Sequence, residues 1–239
     1  IEHFFTAADV GIYSLGYQIA GLVLIFSIAF KKAYDPYFYK VANTEKTKKA
    51  KEKLYKTNFV FILILLLVSF ILSLFAKEGV MLFFNIDYYP AIQVIPIISL
   101  AYLISQNSAL LNVMMYQNKK TILVLYLTLG SAILNIILNY TLIPWIGIMG
   151  AAYATLISFF GLFISSYFIA KKTFFIPYNW KEIIPIFALL LGVYLLFTYF
   201  EIENIFLSIF LKLLVVIFLT YVFYLKNKKT ILAFIRVQK

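Results

Sequence analysis

The stretch NFVFILILLLVSFILSLFA (Asn58 to Ala76) carries no charged side chain. A helix of about 20 such residues, rising about 1.5 Å each, crosses the roughly 30 Å hydrocarbon core of a bilayer. The rest of the chain is of the same kind. Its 239 residues are 64% hydrophobic and 13% charged, with a mean hydropathy of +0.94. A soluble domain is about half apolar and about a quarter charged, and polar residues this sparse could not cover a water-facing globule. The sequence therefore describes an all-α integral membrane protein.

Composition also removes chemistry. With no cysteine there is no disulfide, thiolate metal site or cysteine nucleophile. His3 and Arg236 are the single residues of their types, so no metal centre, catalytic group or cofactor site is expected. The chain opens at Ile1 without a basic leader and reads as the C-terminal part of a longer protein.

Hydropathy places seven spans at about 10–30, 57–76, 91–116, 121–143, 147–170, 183–200 and 204–225. The lysines orient them. Lys31, Lys32, Lys40, Lys46, Lys48, Lys49, Lys51, Lys53 and Lys56 lie between the first two spans. Lys119 and Lys120 follow the third, Lys171, Lys172 and Lys181 the fifth, and Lys226, Lys228, Lys229, Arg236 and Lys239 the last. The alternate segments hold Lys77 with Glu2, Asp9, Glu78, Asp87, Glu201 and Glu203. Cationic loops face the cytoplasm, so the N-terminus is expected outside and the C-terminus inside. Trp145 and Trp180 stand at span ends, where indole favours the headgroup region.

Residues 31–56 read as a basic cytoplasmic loop holding a short helix, capped by Asn43 or Thr44 and braced by the pairs Glu45–Lys49, Lys48–Glu52 and Glu52–Lys56. Its lysines suit anionic membrane lipids. Nucleic acid is not an expected partner, because no aromatic platform interleaves them. The uncharged segment NYTLIPWIGIMGAA (Asn139 to Ala152) reads as a tight hairpin at the interface. Beyond it, Gly147, Ala151, Ala154, Ser158, Gly161 and Ser165 form one smooth face for close helix packing.

Polar side chains within the spans need partners or water. Tyr17 and Gln18 in the first, Asn107 and Asn112 in the third, and Asn135 and Asn139 in the fourth fit either interhelical hydrogen bonds or a hydrophilic path. Pro96 in the third span is a candidate kink. DPYFY (Asp35 to Tyr39) matches a pattern of seven-helix receptors, yet it follows the first span, where in those receptors it ends the last. Asn139-Tyr140-Thr141 is a glycosylation sequon in pattern alone, too near the bilayer for ready modification.

Four stretches in register carry a family likeness: AADVGIYSLGYQIA (Ala7 to Ala20), AYDPYFYK (Ala33 to Lys40), DYYPAIQVIPII (Asp87 to Ile98) and LNIILNYTLIPWIGIMGAAYATLIS (Leu134 to Ser158). In them the chain resembles the C-terminal half of bacterial polysaccharide flippases, members of the multidrug/oligosaccharidyl-lipid/polysaccharide exporter superfamily. The resemblance implies the C-terminal lobe of a two-lobed, alternating-access transporter in the bacterial inner membrane, with residues 1–170 in the lobe and 171–239 supplying two additional helices and a basic tail. It implies an undecaprenyl-pyrophosphate-linked oligosaccharide as substrate, an absent N-terminal lobe as partner, and other polysaccharide assembly proteins nearby. Polar uncharged groups would meet the sugars and Lys31, Lys32 and Lys212 the pyrophosphate. A drug or small-solute exporter of the same superfamily is the alternative. A membrane glycan polymerase or ligase fits less well, since the outer loops are short.

Lys212 is the one charge well inside a span. It lies eight residues past Asn204, about 12 Å from the outer end. Its side chain is expected to snorkel toward Glu201 or Glu203, the alternative being a cation in a lipid-facing groove.

Overall fold

A computed structural model describes residues 6–45, 47–172 and 174–237, with side chains to Lys228. Glu2, His3, Lys46 and Lys239, and the side chains of Lys229 and Arg236, lie outside the described residues. The helices are α1 (Ala7–Ala20), α2 (Leu22–Thr44), α3 (Thr47–Leu74), α4 (Ala76–Phe83), α5 (Ala91–Gln117), α6 (Thr121–Ile146), α7 (Ile148–Ala170), α8 (Trp180–Tyr199) and α9 (Ile205–Val237), with a 3-10 turn at Ile86–Tyr88. No strand occurs among the described residues. Among the described residues, seven segments are long and apolar enough to span a bilayer, as expected, with α1 and α2 forming one of them around Gly21.

The chain reverses at each span, which gathers the lysines at one end. There Gln117 Nε2 donates to Asn43 Oδ1 at 2.7 Å, and Phe38 meets Phe174 edge-on at 6.0 Å. At the lysine-poor end, Lys77 pairs with Glu201 at 3.3 Å. α5 and α7 form the centre. α1 and α3 flank α5, α6 lies along α7, and α8 and α9 both lie on α3.

The basic segment 31–56 corrects the expected loop. α2 continues through Lys31 and Lys32 to Thr44, and the next helix starts at Thr47 and runs straight into the second span. At about 1.5 Å per residue, the 28 residues of α3 extend about 42 Å, so its first turns project past the hydrocarbon. Lysine, glutamate and alanine are good helix formers. Tyr34, Phe38 and Val41 on α2 and Ala50 and Leu54 on α3 are buried at helical spacing, so the projecting hairpin has its own apolar seam. The separate capped helix is absent. Thr44 instead bonds back to the Lys40 carbonyl, 2.7 Å. Glu45 pairs with Lys53 because the chain turns between it and Lys49, whereas Glu52–Lys56 forms at 2.9 Å.

The uncharged hairpin has an atomic explanation. α6 continues past Pro144 to Ile146, and the reversal is made at Gly147, whose φ of +58° suits a residue without Cβ. Three residues on, a Cβ at Gly150 would lie 2.6 Å from the Leu142 carbonyl carbon and oxygen, so the two helices touch backbone to backbone. The tight seam centres on Gly150, Ala151, Ala154, Thr155 and Ser158, all buried. It does not extend to Gly161, where a Cβ would have ordinary contact with Leu134, or to exposed Ser165. Pro96 lies inside α5, which continues unbroken from Ala91 to Gln117.

Candidate functional site

Two surfaces of opposite chemistry meet on the α5–α7 pair. The first is polar and uncharged. Tyr17 packs against Tyr13 at 5.7 Å and edge-on against Tyr102 of α5 at 5.3 Å. Tyr102 in turn faces Phe159 of α7 at 6.4 Å. Tyr13 reaches Thr155 of α7, which accepts from Asn135 Nδ2 of α6 at 3.5 Å. Asn139 Nδ2 donates to Asn135 Oδ1 at 3.0 Å. Below this, Ser131 Oγ donates to the Ser158 carbonyl at 2.9 Å. Tyr17, Asn135 and Asn139 thus fall into one network reaching across four helices. Asn135 also serves as an interhelical tie, and Asn139 Oδ1 has no partner among the described residues. Gln18 stands beside Tyr17, exposed. This network includes no ionised side chain.

The second surface is apolar. A cavity of about 520 Å³ opens between α3, α5, α7 and the first turns of α8, with Ile62, Leu103, Phe163 and Trp180 among its walls. A second, of about 410 Å³, continues toward the lysine-poor end and includes Gln93, Tyr153 and Tyr194. The two share Leu66, Leu100, Leu103 and Phe187, so they are halves of one groove under α8. Asn107 lies here, apart from Asn135: its amide donates to the Leu103 carbonyl at 2.8 Å and its Oδ1 has no partner among the described residues. The Tyr178 hydroxyl donates to the Asn107 carbonyl at 3.1 Å. Burial, with Tyr167 adding, pushes that hydroxyl far above its ordinary pKa, so it remains a donor. Trp180 stacks on Tyr178 at 5.2 Å and closes the lysine-rich end of the groove. Asn112 lies farther along α5, its Oδ1 buried and likewise unpartnered among the described residues.

The three cations separate. Lys31 and Lys32 lie on α2 toward the lysine-rich end, Lys32 exposed and Lys31 one turn before half-buried Asp35. Lys212 is different. Its ammonium is buried, donating to Glu78 Oε1 at 2.5 Å and to the Leu74 carbonyl at 2.8 Å, and Ser208 Oγ donates to the same carboxylate oxygen at 2.5 Å. The expected reach toward Glu201 or Glu203 is therefore wrong. α3 stops at Leu74 and α4 carries Glu78 inward, which offers a nearer carboxylate, while Glu201 is taken by Lys77.

Against known proteins, the model of the family described as MatE matches residues 1–141, more than half of the chain. The chain belongs to the MatE family. MatE proteins are membrane transporters and exporters, and their superfamily is the one the sequence motifs resemble. This MatE chain is accordingly a multi-pass membrane protein of the transporter class. The match spans α1 to most of α6 and includes Tyr17 and the Asn135–Asn139 step, whereas α8 and α9 lie beyond it. No curated protein and no solved structure matches the chain.

Sequence reasoning missed Tyr13, Glu78 and Phe197, whereas Tyr102 stands among the polar side chains of the third span. Tyr13 was legible only as apolar bulk. Glu78 stood among exposed loop acids, and its signal was the apolar company it keeps in FAKEGVMLFF (Phe75 to Phe84).

Proposed function

We propose that the chain is one lobe of an exporter that carries a lipid-linked oligosaccharide, an undecaprenyl-pyrophosphate glycan, across the bacterial inner membrane from the cytoplasmic to the outer face. The observation that carries this reading is the pairing of two surfaces on one lobe. The uncharged network of Tyr17, Asn135 and Asn139, with Gln18 beside it, offers hydroxyl and amide partners suited to sugars. The groove under α8, walled mainly by hydrocarbon side chains, suits a lipid tail. A substrate with a sugar head and a hydrocarbon tail uses both, and a small water-soluble solute uses only the first.

In this reading the lysine-rich end faces the cytoplasm, where Lys31 and Lys32 meet the pyrophosphate as the substrate enters. The opposing wall of the path comes from a second lobe of the same protein. Lys212 drops out of the anion-binding set, because Glu78 already neutralises it. The test is export by the intact protein in a strain lacking its own oligosaccharide flippase. Surface glycan should return with the parent and fall with Tyr17→Ala and Asn135→Ala, while resistance to cationic drugs stays unchanged. Drug resistance without glycan export would replace this reading with the small-solute exporter.

A further inference from the structure

Phe187, Leu190, Tyr194 and Phe197 recur every three or four residues and so share one face of α8. The first three line the groove. The fourth lies under the Lys212 ammonium, 5.8 Å from its ring centroid, within cation–π range. That ammonium is itself fixed. The Leu74 carbonyl it binds ends α3, where the helix dipole is negative, and Glu78 lies in the first turn of α4, where the dipole is positive. Each partner therefore carries the charge its helix end prefers. Lys212 belongs to α9 yet touches one group on each of α3, α4 and α8.

We infer that Lys212 is a positioning residue: through Phe197 it sets how far α8 stands off the lobe, and with it the width of the apolar groove. α8 lies along α3, with the groove between it and the α5–α7 pair. Its lysine-rich end is held by the stacking of Tyr178 and Trp180. Near its other end it is held by the contact of Phe197 with a cation that three other helices define. Moving Phe197 outward leaves the ammonium without its ring, and Tyr194, one turn away, moves with it. Only the consequence for export rests on the proposed lipid-tailed substrate.

The chain contains no cysteine, and Tyr199 and Trp145 are 83% and 86% exposed near the same end, so Tyr199→Cys and Trp145→Cys accept spin labels there. The separation of these labels in the intact protein, in phosphatidylethanolamine–phosphatidylglycerol nanodiscs, reads the seating of α8 against the α6–α7 turn. Phe197→Leu and Lys212→Met should lengthen and broaden that separation, Phe197→Tyr should restore the parent distribution, and Lys77→Ala, which removes the exposed pair, should leave it unchanged. Phe197→Leu keeps the buried ion pair, so it decides the matter if Lys212→Met does not fold. A parent-like distribution in Phe197→Leu, with unaltered helicity and melting, overturns the inference. A shifted distribution with undiminished glycan export upholds the positioning and counts instead against the groove's part in export.

Discussion

At Gly150 one added carbon decides whether α6 and α7 can meet, because the Leu142 backbone already occupies the space. Gly150→Ala should destabilise the chain by about 1–3 kcal/mol, the usual cost of overpacking. Gly161→Ala should be nearly neutral, since Leu134 can yield. Thermal unfolding in detergent checks both, and equal melting of the two variants would contradict a backbone contact at Gly150. The buried pair sets a second test. Lys212→Leu leaves Glu78 buried without its cation and should cost about 3–5 kcal/mol. Removing both charges, with Glu78→Leu added, should recover most of that loss, because an apolar pair of similar volume avoids the desolvation of two ions. A double variant less stable than Lys212→Leu would mean that Glu78 is not the group left stranded.

Hydropathy located the spans because the signal for a bilayer helix is length and apolarity, both local properties of the sequence. Where elements end depends on contacts, which hydropathy does not carry. Lysines and glutamates between the first two spans looked like a loop, although Tyr34, Phe38, Val41, Ala50 and Leu54 already carried the spacing of a helical seam. The break between α3 and α4 had no such signal, because the cation that stabilises it comes from α9, more than a hundred residues away. Asn135 showed its polarity in the sequence but not its neighbours, so a tie to Thr155 and a place on a path could not be separated. The alternation of lysine-rich and lysine-poor ends gives a direct prediction about orientation. A thiol at Lys49→Cys, exposed on the projecting turns of α3, should resist an impermeant maleimide added to intact cells. One at Asn204→Cys, in the turn before α9, should react. Reaction at position 49 from outside would invert the proposed orientation and, with it, the direction of export.

Under the proposed function the transport path needs two walls, and this lobe supplies one. α6 buries only Val124, Ser131 and Ile143, although its mean character is as apolar as its neighbours, so most of its surface faces lipid or another protein surface. α2 likewise leaves Leu22, Ile25, Phe26 and Ile28 exposed next to Gln18. These faces flank Tyr17 and the Asn135–Asn139 step, which would otherwise present amides and hydroxyls to hydrocarbon, a costly arrangement unless water or partner groups meet them. A second lobe packed on α1, α2 and α6 satisfies both needs at once: it covers the apolar faces and encloses the polar groups in a wet path. Residues 1–239 expressed alone should therefore insert into the membrane yet fail to restore glycan export to a strain lacking its flippase. Under the proposed function, co-expression with an opposing lobe should restore it. Full export from residues 1–239 alone would remove the need for an opposing wall and refute the two-lobed reading, leaving self-association of this lobe as the way its exposed faces are covered.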